Sequence, residues 1–370
     1  MSVDGGRPES AKHLILCLDG TWCDGDSRPE PQSNVAVLTA MVDPWPQDGS
    51  GQRVYYDSGI GTRASLVNRA LGGIFGKGLS GNVLAAYRFL SQFYEPGDRI
   101  YVFGFSRGAF TARSLCGFMA ASGLLKSEEC SKDNLKFAWS YYRTSPKQRY
   151  PADRAKLSRM THGSDARVRF LGVFDTVGAL GVPGRFGKRA IQFHDTDVSS
   201  VVDCSCQALA IDEHRREFEP AVWTEPRHRR FHAVEQAWFP GSHANIGGGC
   251  EDRGLSDLAL DWMVRRLGRY CPELKLRPSW DWPRPLVPNY IAPLYETRTL
   301  VFWRSWLRPM MRLINRSKID HTWRLRTSTA RPHTRAIGEM VHWSALARWQ
   351  ETKDGSRRSR YQPANLAAAI

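Results

Sequence analysis

Three side chains of complementary chemistry stand far apart in the chain: Ser106, Asp175 and His243. A hydroxyl becomes a strong nucleophile when an imidazole takes its proton and a carboxylate holds the imidazole in the right tautomer. Acyl transfer needs this set. Ser106 lies in Gly104-Phe105-Ser106-Arg107-Gly108, a Gly-x-Ser-x-Gly pattern. It is preceded by β-prone Ile100-Tyr101-Val102-Phe103 and followed by helix-compatible Ala109-Phe110-Thr111-Ala112-Arg113-Ser114-Leu115. That context predicts a sharp strand-to-helix turn with the serine oxygen lifted out of a sheet. The glycines let neighbouring backbone approach where a Cβ would clash.

An oxyanion hole completes such a site. The backbone N–H of Arg107 is one expected donor, and the loop Asp19-Gly20-Thr21 is the expected source of the second, through Gly20 or Thr21. Asp19 and Asn245 are candidate supports of the site. Each residue also has a plain structural reading. Ser106 could cap the helix after it. Asp175 could bind turn amides, and Asp19 could be a polar anchor. His243 has a rival base in His342, within Glu339-Met340-Val341-His342-Trp343-Ser344. A metal reading of Asp19, Asp57 and His243 has no recognised spacing, and the nucleotide pattern Gly-x-x-x-x-Gly-Lys-Ser/Thr is absent. No cofactor or metal is called for.

The elements that must position these groups alternate. His13-Leu14-Ile15-Leu16-Cys17-Leu18 reads as a buried strand, Ser33-Asn34 as a helix start, and Val54-Tyr55-Tyr56 as a second strand. Apolar positions Val83, Ala86, Tyr87, Leu90 and Phe93 have helical spacing, and Pro96-Gly97-Asp98 ends that helix. Strands follow at 168–174 and 230–234, a helical stretch is expected over 208–218, and Ser256 is expected to cap a helix running to about Leu267. This alternation predicts an α/β fold: a mostly parallel central sheet with helices on both faces. One domain spans 13–350, with a helical excursion or cap at 125–165 and a Trp/Arg-rich peripheral region at 270–330. Residues 1–12 are expected to be disordered and 351–370 to form a flexible tail.

The 370 residues carry a net charge of +15 and eight cysteines. No Cys-x-x-Cys pair occurs, so reduced thiols are the simpler reading, and the N-terminus lacks a secretory signal pattern. A cytoplasmic protein is expected, with export by a machine that needs no such signal as the alternative. The charge favours anionic partners such as phospholipid headgroups or nucleic acid. The complete set of acyl-transfer groups argues against a nucleic-acid module. Residues 302–316 mix bulky apolar and cationic side chains. They read either as a peripheral membrane contact or as a core helix with snorkelling arginines, interrupted at Pro309.

Ordered motifs carry a family resemblance. They are Leu18-Asp19-Gly20-Thr21, Ser33-Asn34-Val35, Gly59-Ile60-Gly61-Thr62, the Ser106 pentapeptide with Ala109, Phe174-Asp175-Thr176-Val177-Gly178-Ala179, Ala210-Ile211-Asp212-Glu213, Trp238-Phe239-Pro240-Gly241-Ser242-His243 and Gly254-Leu255-Ser256-Asp257. The chain resembles, over about residues 13–265, uncharacterised α/β hydrolases related to phospholipase effectors of type VI secretion. The order Ser…Asp…His agrees with α/β hydrolases. The resemblance implies an α/β-hydrolase fold and serine esterase chemistry. It gives Ser106, Asp175 and His243 the roles of nucleophile, acid and base. It also implies lipid esters, phospholipids above all, as substrates; the alternatives are a soluble small-ester or thioester hydrolase and a non-catalytic basic module binding nucleic acid or anionic membrane, and the sequence identifies no immunity or secretion partner. Asn245 departs from the Asp expected there, which bears on support of the His243 loop.

Overall fold

Apolar runs too short to span the protein as helices, and rich in Val, Ile, Leu and Phe, form strands buried on both faces. A computed structural model describes residues 11–20, 32–59, 75–177, 198–215, 218–224, 233–295, 310–314, 326–327, 336–353 and 361–370. In chain order the first elements are β1 (His13–Leu18), α1 (Asn34–Met41), β2 (Gln52–Asp57), α2 (Phe75–Phe93), β3 (Arg99–Phe105) and α3 (Arg107–Ser122). Then come α4 (Lys132–Arg143), α5 (Pro151–Met160), β4 (Val168–Phe174), β5 (Val202–Ala210), β6 (Ala233–Phe239), α6 (His243–Gly247) and α7 (Gly254–Tyr270). The last are β7 (Met310–Met311), β8 (Arg326–Thr327), β9 (Glu339–Val341), α8 (Trp343–Lys353) and α9 (Ala364–Ala367).

Seven strands form one sheet in the order β2-β1-β3-β4-β5-β6-β9, and every neighbouring pair is parallel. Alternate side chains feed two cores. Leu14, Leu16, Leu18, Ile100 and Val102 pack with α2, α3, α4 and α5 on one face. Ile15, Cys17, Tyr101 and Phe103 pack with α1 and α7 on the other. The chain moves from β1 outward to β2, then returns across β1 to β3, so the strand order reverses between β1 and β3. Open α/β sheets bind ligands at the carboxyl ends of strands flanking such a reversal, and here those ends are Asp19-Gly20 and Ser106.

Several expectations change. Residues 202–210 form a fully buried strand paired on both edges, with β4 and β6, where a helix was expected over 208–218. Two-sided pairing in the sheet outweighs local helical spacing. β6 runs on through Trp238 and Phe239, so the expected 230–234 strand lies several residues further along; Arg230 to His232 fall outside the described residues. α7 begins at Gly254, and Ser256 sits inside its first turn, its Oγ donating to Arg253 O at 3.1 Å. The 125–165 excursion contains α4 and α5, whose Leu135, Ala138, Leu157 and Met160 join the α2–α3 core. Of the predicted tail, residues 361–370 pack onto the body of the fold: Tyr361 and Leu366 are buried in a third cluster with Leu209, Ile211, Trp238 and Ala345. The described part of the 302–316 segment is not helical. Met310–Met311 pairs with Arg326–Thr327, and Arg312 and Ile314 are buried. Residues 1–10 and 302–309 lie outside the described residues.

Candidate active site

β3 ends at Phe105 and α3 starts at Arg107, which leaves one residue to reverse the chain. Ser106 does so with φ 56° and ψ −115°. Among the described residues only Ser106 and Asp175 (φ 41°) are non-glycine residues with positive φ. Such backbone costs on the order of 1–3 kcal/mol per residue and persists where the surroundings enforce it. The two flanking glycines show how. A Cβ on Gly108 would lie 1.9 Å from Leu18 O, and one on Gly104 would lie 2.7 Å from the backbone of Ala109. Tight packing of the elbow on β1 and on its own helix therefore requires glycine at both positions.

The Ser106 side chain makes no capping bond to its helix. Its Oγ is 2.8 Å from Nε2 of His243, whose Nδ1 is 2.5 Å from Oδ2 of Asp175. All three residues are buried. The sheet itself carries the alignment one rung past the strand ends: Ser106 N–H donates to Phe174 O at 3.1 Å, and Asp175 N–H donates to Ala208 O at 2.7 Å. Phe105 and Phe218 flank the imidazole with ring centroids 4.7 and 4.8 Å away. Phe105 in turn needs Gly247, where a Cβ would come within 1.9 Å of its ring.

The electrostatics divide the two titrating groups. Burial pushes the Asp175 carboxyl up, but the charge of Arg312 and the His243 hydrogen bond outweigh it and hold the group well below the usual carboxylate range. Burial pushes His243 down from 6.5, against the opposing pull of Asp175, which favours the neutral imidazole a base requires. Arg312 is fully buried. Its Nη1 and Nη2 donate to Oδ1 and Oδ2 of Asp175 at 2.6 and 3.0 Å. Glu213 accepts from the His243 amide at 3.3 Å and from Arg215 Nε and Nη2 at 3.0 and 2.9 Å. Neither Arg312 nor the Glu213–Arg215 pair has a role in the sequence reading. Arg312 lies in the Trp/Arg-rich stretch, whose composition reads either as a membrane contact or as a core helix and points to no partner for it. For Glu213 a signal existed, its place in the Ala210-Ile211-Asp212-Glu213 motif.

The other candidates fall into place around this chain of contacts. Asp19 is buried; its Oδ1 accepts from Gly20 N–H at 2.7 Å, and its Oδ2 accepts from Tyr56 Oη at 2.9 Å and from Ser33 Oγ. The Gly20 amide, expected as an oxyanion donor, is therefore committed to Asp19. Thr21 lies outside the described residues. Asn245 closes the first turn of α6: its Oδ1 accepts from Ser242 N–H and from Tyr295 N–H, both at 3.1 Å. Its Nδ2 donates to Pro293 O at 3.4 Å, a bond an aspartate could not make. His342 bonds Ser344 Oγ at 2.8 Å and stacks on Phe239, with neither Ser106 nor Asp175 as a partner. Among the described residues no cluster of histidines, cysteines and carboxylates could hold a metal ion.

The all-parallel sheet and the strained serine turn at its strand-order reversal define an α/β-hydrolase-like protein. The chain belongs to the family described as type VI secretion (T6SS) phospholipase effector Tle1-like, catalytic domain, whose model matches residues 12–266. The Uncharacterized protein YEL023C of Saccharomyces cerevisiae is 32% identical over 236 residues, which are 58% of this chain and 33% of the yeast protein. Among solved structures, an uncharacterized protein from Pseudomonas aeruginosa aligns with TM-score 0.43 and 19% identity, over 75% of this chain and 48% of that one. The Tle1 effector bound to the VgrG spike of the type VI secretion system aligns with TM-score 0.37 and 20% identity, over 66% of this chain and 52% of that one. This chain thus spans a third of the yeast relative and about half of these two solved chains.

Proposed function

We propose that the protein is a serine hydrolase that cleaves acyl esters of lipids, phospholipids foremost, using Ser106, His243 and Asp175. The observation that carries this reading is the continuous contact Ser106 Oγ–His243–Asp175, at 2.8 and 2.5 Å, in a member of a phospholipase effector family. His243 Nε2 takes the Ser106 proton as Oγ bonds to the ester carbonyl carbon. The same proton passes to the leaving alcohol as the carbon–oxygen bond breaks, leaving an acyl-serine. Water then attacks the acyl carbon, gives its proton to His243, and Ser106 leaves with that proton. Asp175 holds the Nδ1 proton and balances the imidazolium in each half-reaction. The Arg107 amide is the first oxyanion donor. With the Gly20 amide committed to Asp19, the Thr21 amide is the candidate for the second.

The Tle1 structure, solved on a VgrG spike, suggests a secretion-spike protein as a partner and export through that system. No described helix is long and apolar enough to cross a membrane.

A fluorophosphonate probe, applied beside liposome and short nitrophenyl ester assays, tests the reading. Wild type is expected to be labelled and to release fatty acid from liposomes, and Ser106→Ala to do neither. Turnover of short soluble esters alone would remove the lipid assignment, and wild-type rates in Ser106→Ala would remove the serine mechanism.

A further inference from the structure

Resting on the reading just given, we propose that Arg312 is a positioning residue for the Ser106 reaction. Its guanidinium grips both oxygens of Asp175, fixes the edge of the carboxylate that meets His243 Nδ1, and balances the carboxylate's charge.

The geometry is that of a built site. Arg312 is fully buried, and its two terminal nitrogens fork onto the two carboxylate oxygens at 2.6 and 3.0 Å. A planar fork restrains rotation of the carboxylate as a single point charge cannot. The guanidinium is itself held, Nη1 donating to Ala210 O at 2.9 Å and Nη2 to Phe218 O at 2.6 Å. Ala210 N–H is a second donor to Asp175 Oδ1, at 2.9 Å. Oδ2, shared with one Arg312 nitrogen, is the oxygen that meets the imidazole. A buried ion pair is a poor source of net stability, because desolvating both ions offsets most of their attraction. Pairing on the very carboxylate that orients the base gives it a different use.

That use is electrostatic as well as steric. His243 faces Ser106 from the β3–α3 turn, Asp175 from β4, Glu213 and Arg215 from the loop after β5, and the rings of Phe105 and Phe218. With Arg312 present the cluster has two carboxylates and two guanidinium groups, and a neutral imidazole keeps it balanced. Without Arg312 it carries one unmatched negative charge. A proton then binds the Asp175–His243 pair at higher pH, whichever of the two groups receives it. A catalytically active pair must be free of that proton.

The variants are Arg312→Lys, Arg312→Met and Arg312→Ala, read by the pH profile of kcat/KM, by kcat and KM separately, and by an NMR titration of the His243 imidazole. We expect Arg312→Met to move the acid limb up by about one pH unit or more and to lower kcat with little change in KM. Arg312→Lys, which keeps the charge but loses the fork, is expected to keep the limb near wild type with a reduced kcat. Added guanidinium ion is expected to restore part of the activity of Arg312→Ala. Should the Met and Ala variants not fold, the Lys variant decides: an unaltered kcat overturns the proposal. Lost activity with an unmoved limb, an unmoved imidazole titration and no rescue also overturns it, leaving Arg312 a structural role alone. The imidazole titration needs no turnover, so it tests the clamp even if the esterase reading itself fails in the probe experiment.

Discussion

The base of the proposed mechanism acts only while neutral, and burial pushes His243 down from 6.5. The expected kcat/KM profile therefore rises with pH to a plateau, with an acid limb below pH 6.5; a limb above 7 would contradict this environment. Asp175→Asn is expected to lower kcat by roughly 10⁴, the cost of losing the correct tautomer. His243→Ala is expected to abolish probe labelling and His342→Ala to leave it intact, because His342 contacts Ser344 and Phe239 instead. The reverse result would move the base to position 342. Ser106 and Asp175 were readable from sequence because each closes an apolar strand-like run, and strand ends converge in a parallel sheet; His243 was readable from its place in a loop after a later strand and from the order Ser…Asp…His. Arg312 was not readable, since one arginine among the four of residues 302–316 carries no local sign of which is buried or of its partner.

At the level of elements, the elbow depends on glycine where β1 and α3 nearly touch. Gly108→Ala would drive a methyl into Leu18 O, and we expect it to abolish soluble expression or cost more than about 4 kcal/mol by denaturant titration. The α6 turn is more tolerant. Asn245→Asp keeps the acceptor toward Ser242 and Tyr295 and loses only the long bond to Pro293 O. It should cost under about 1 kcal/mol, whereas Asn245→Ala loses the cap and should cost about 1–2. The departure at 245 thus leaves the His243 loop supported. Misread elements share one cause. Residues 208–218 look helical in isolation, yet hydrogen bonding on both edges of β5 fixes residues up to Ala210 as strand. Non-local pairing of this kind leaves no periodic trace in a single sequence.

At the scale of the molecule, burial lowers four imidazoles among the described residues: His13, His162, His243 and His342, the last to about 4. A group depressed in the folded state adds stability that is complete above its unfolded value of 6.5 and is lost as pH falls through its folded value. The unfolded chain takes up those protons first. Thermal stability should therefore fall steadily from pH 7 toward pH 4, and His342→Phe should flatten part of that fall; a flat Tm over this range would refute it. The layered α/β architecture was legible from alternation alone. The packing of residues 361–370 onto Leu209, Ile211 and Trp238 was not, because polar and alanine-rich composition there resembles a free end.

Tyr361 donates through its Oη to Asp212 Oδ2 at 2.9 Å, and that same oxygen accepts from the Gly241 amide at 2.7 Å, two residues before His243. The stretch matched to the family ends at 266, so it includes Ser106, His243 and Asp175 but omits Arg312, β9 and Tyr361. The proposed chemistry is therefore not expected to travel with the homologous segment alone. A fragment trimmed at 266 would keep the three side chains proposed to react and forfeit the later-encoded contacts that brace them, so on that proposal the working unit is wider than the stretch by which kinship is recognised.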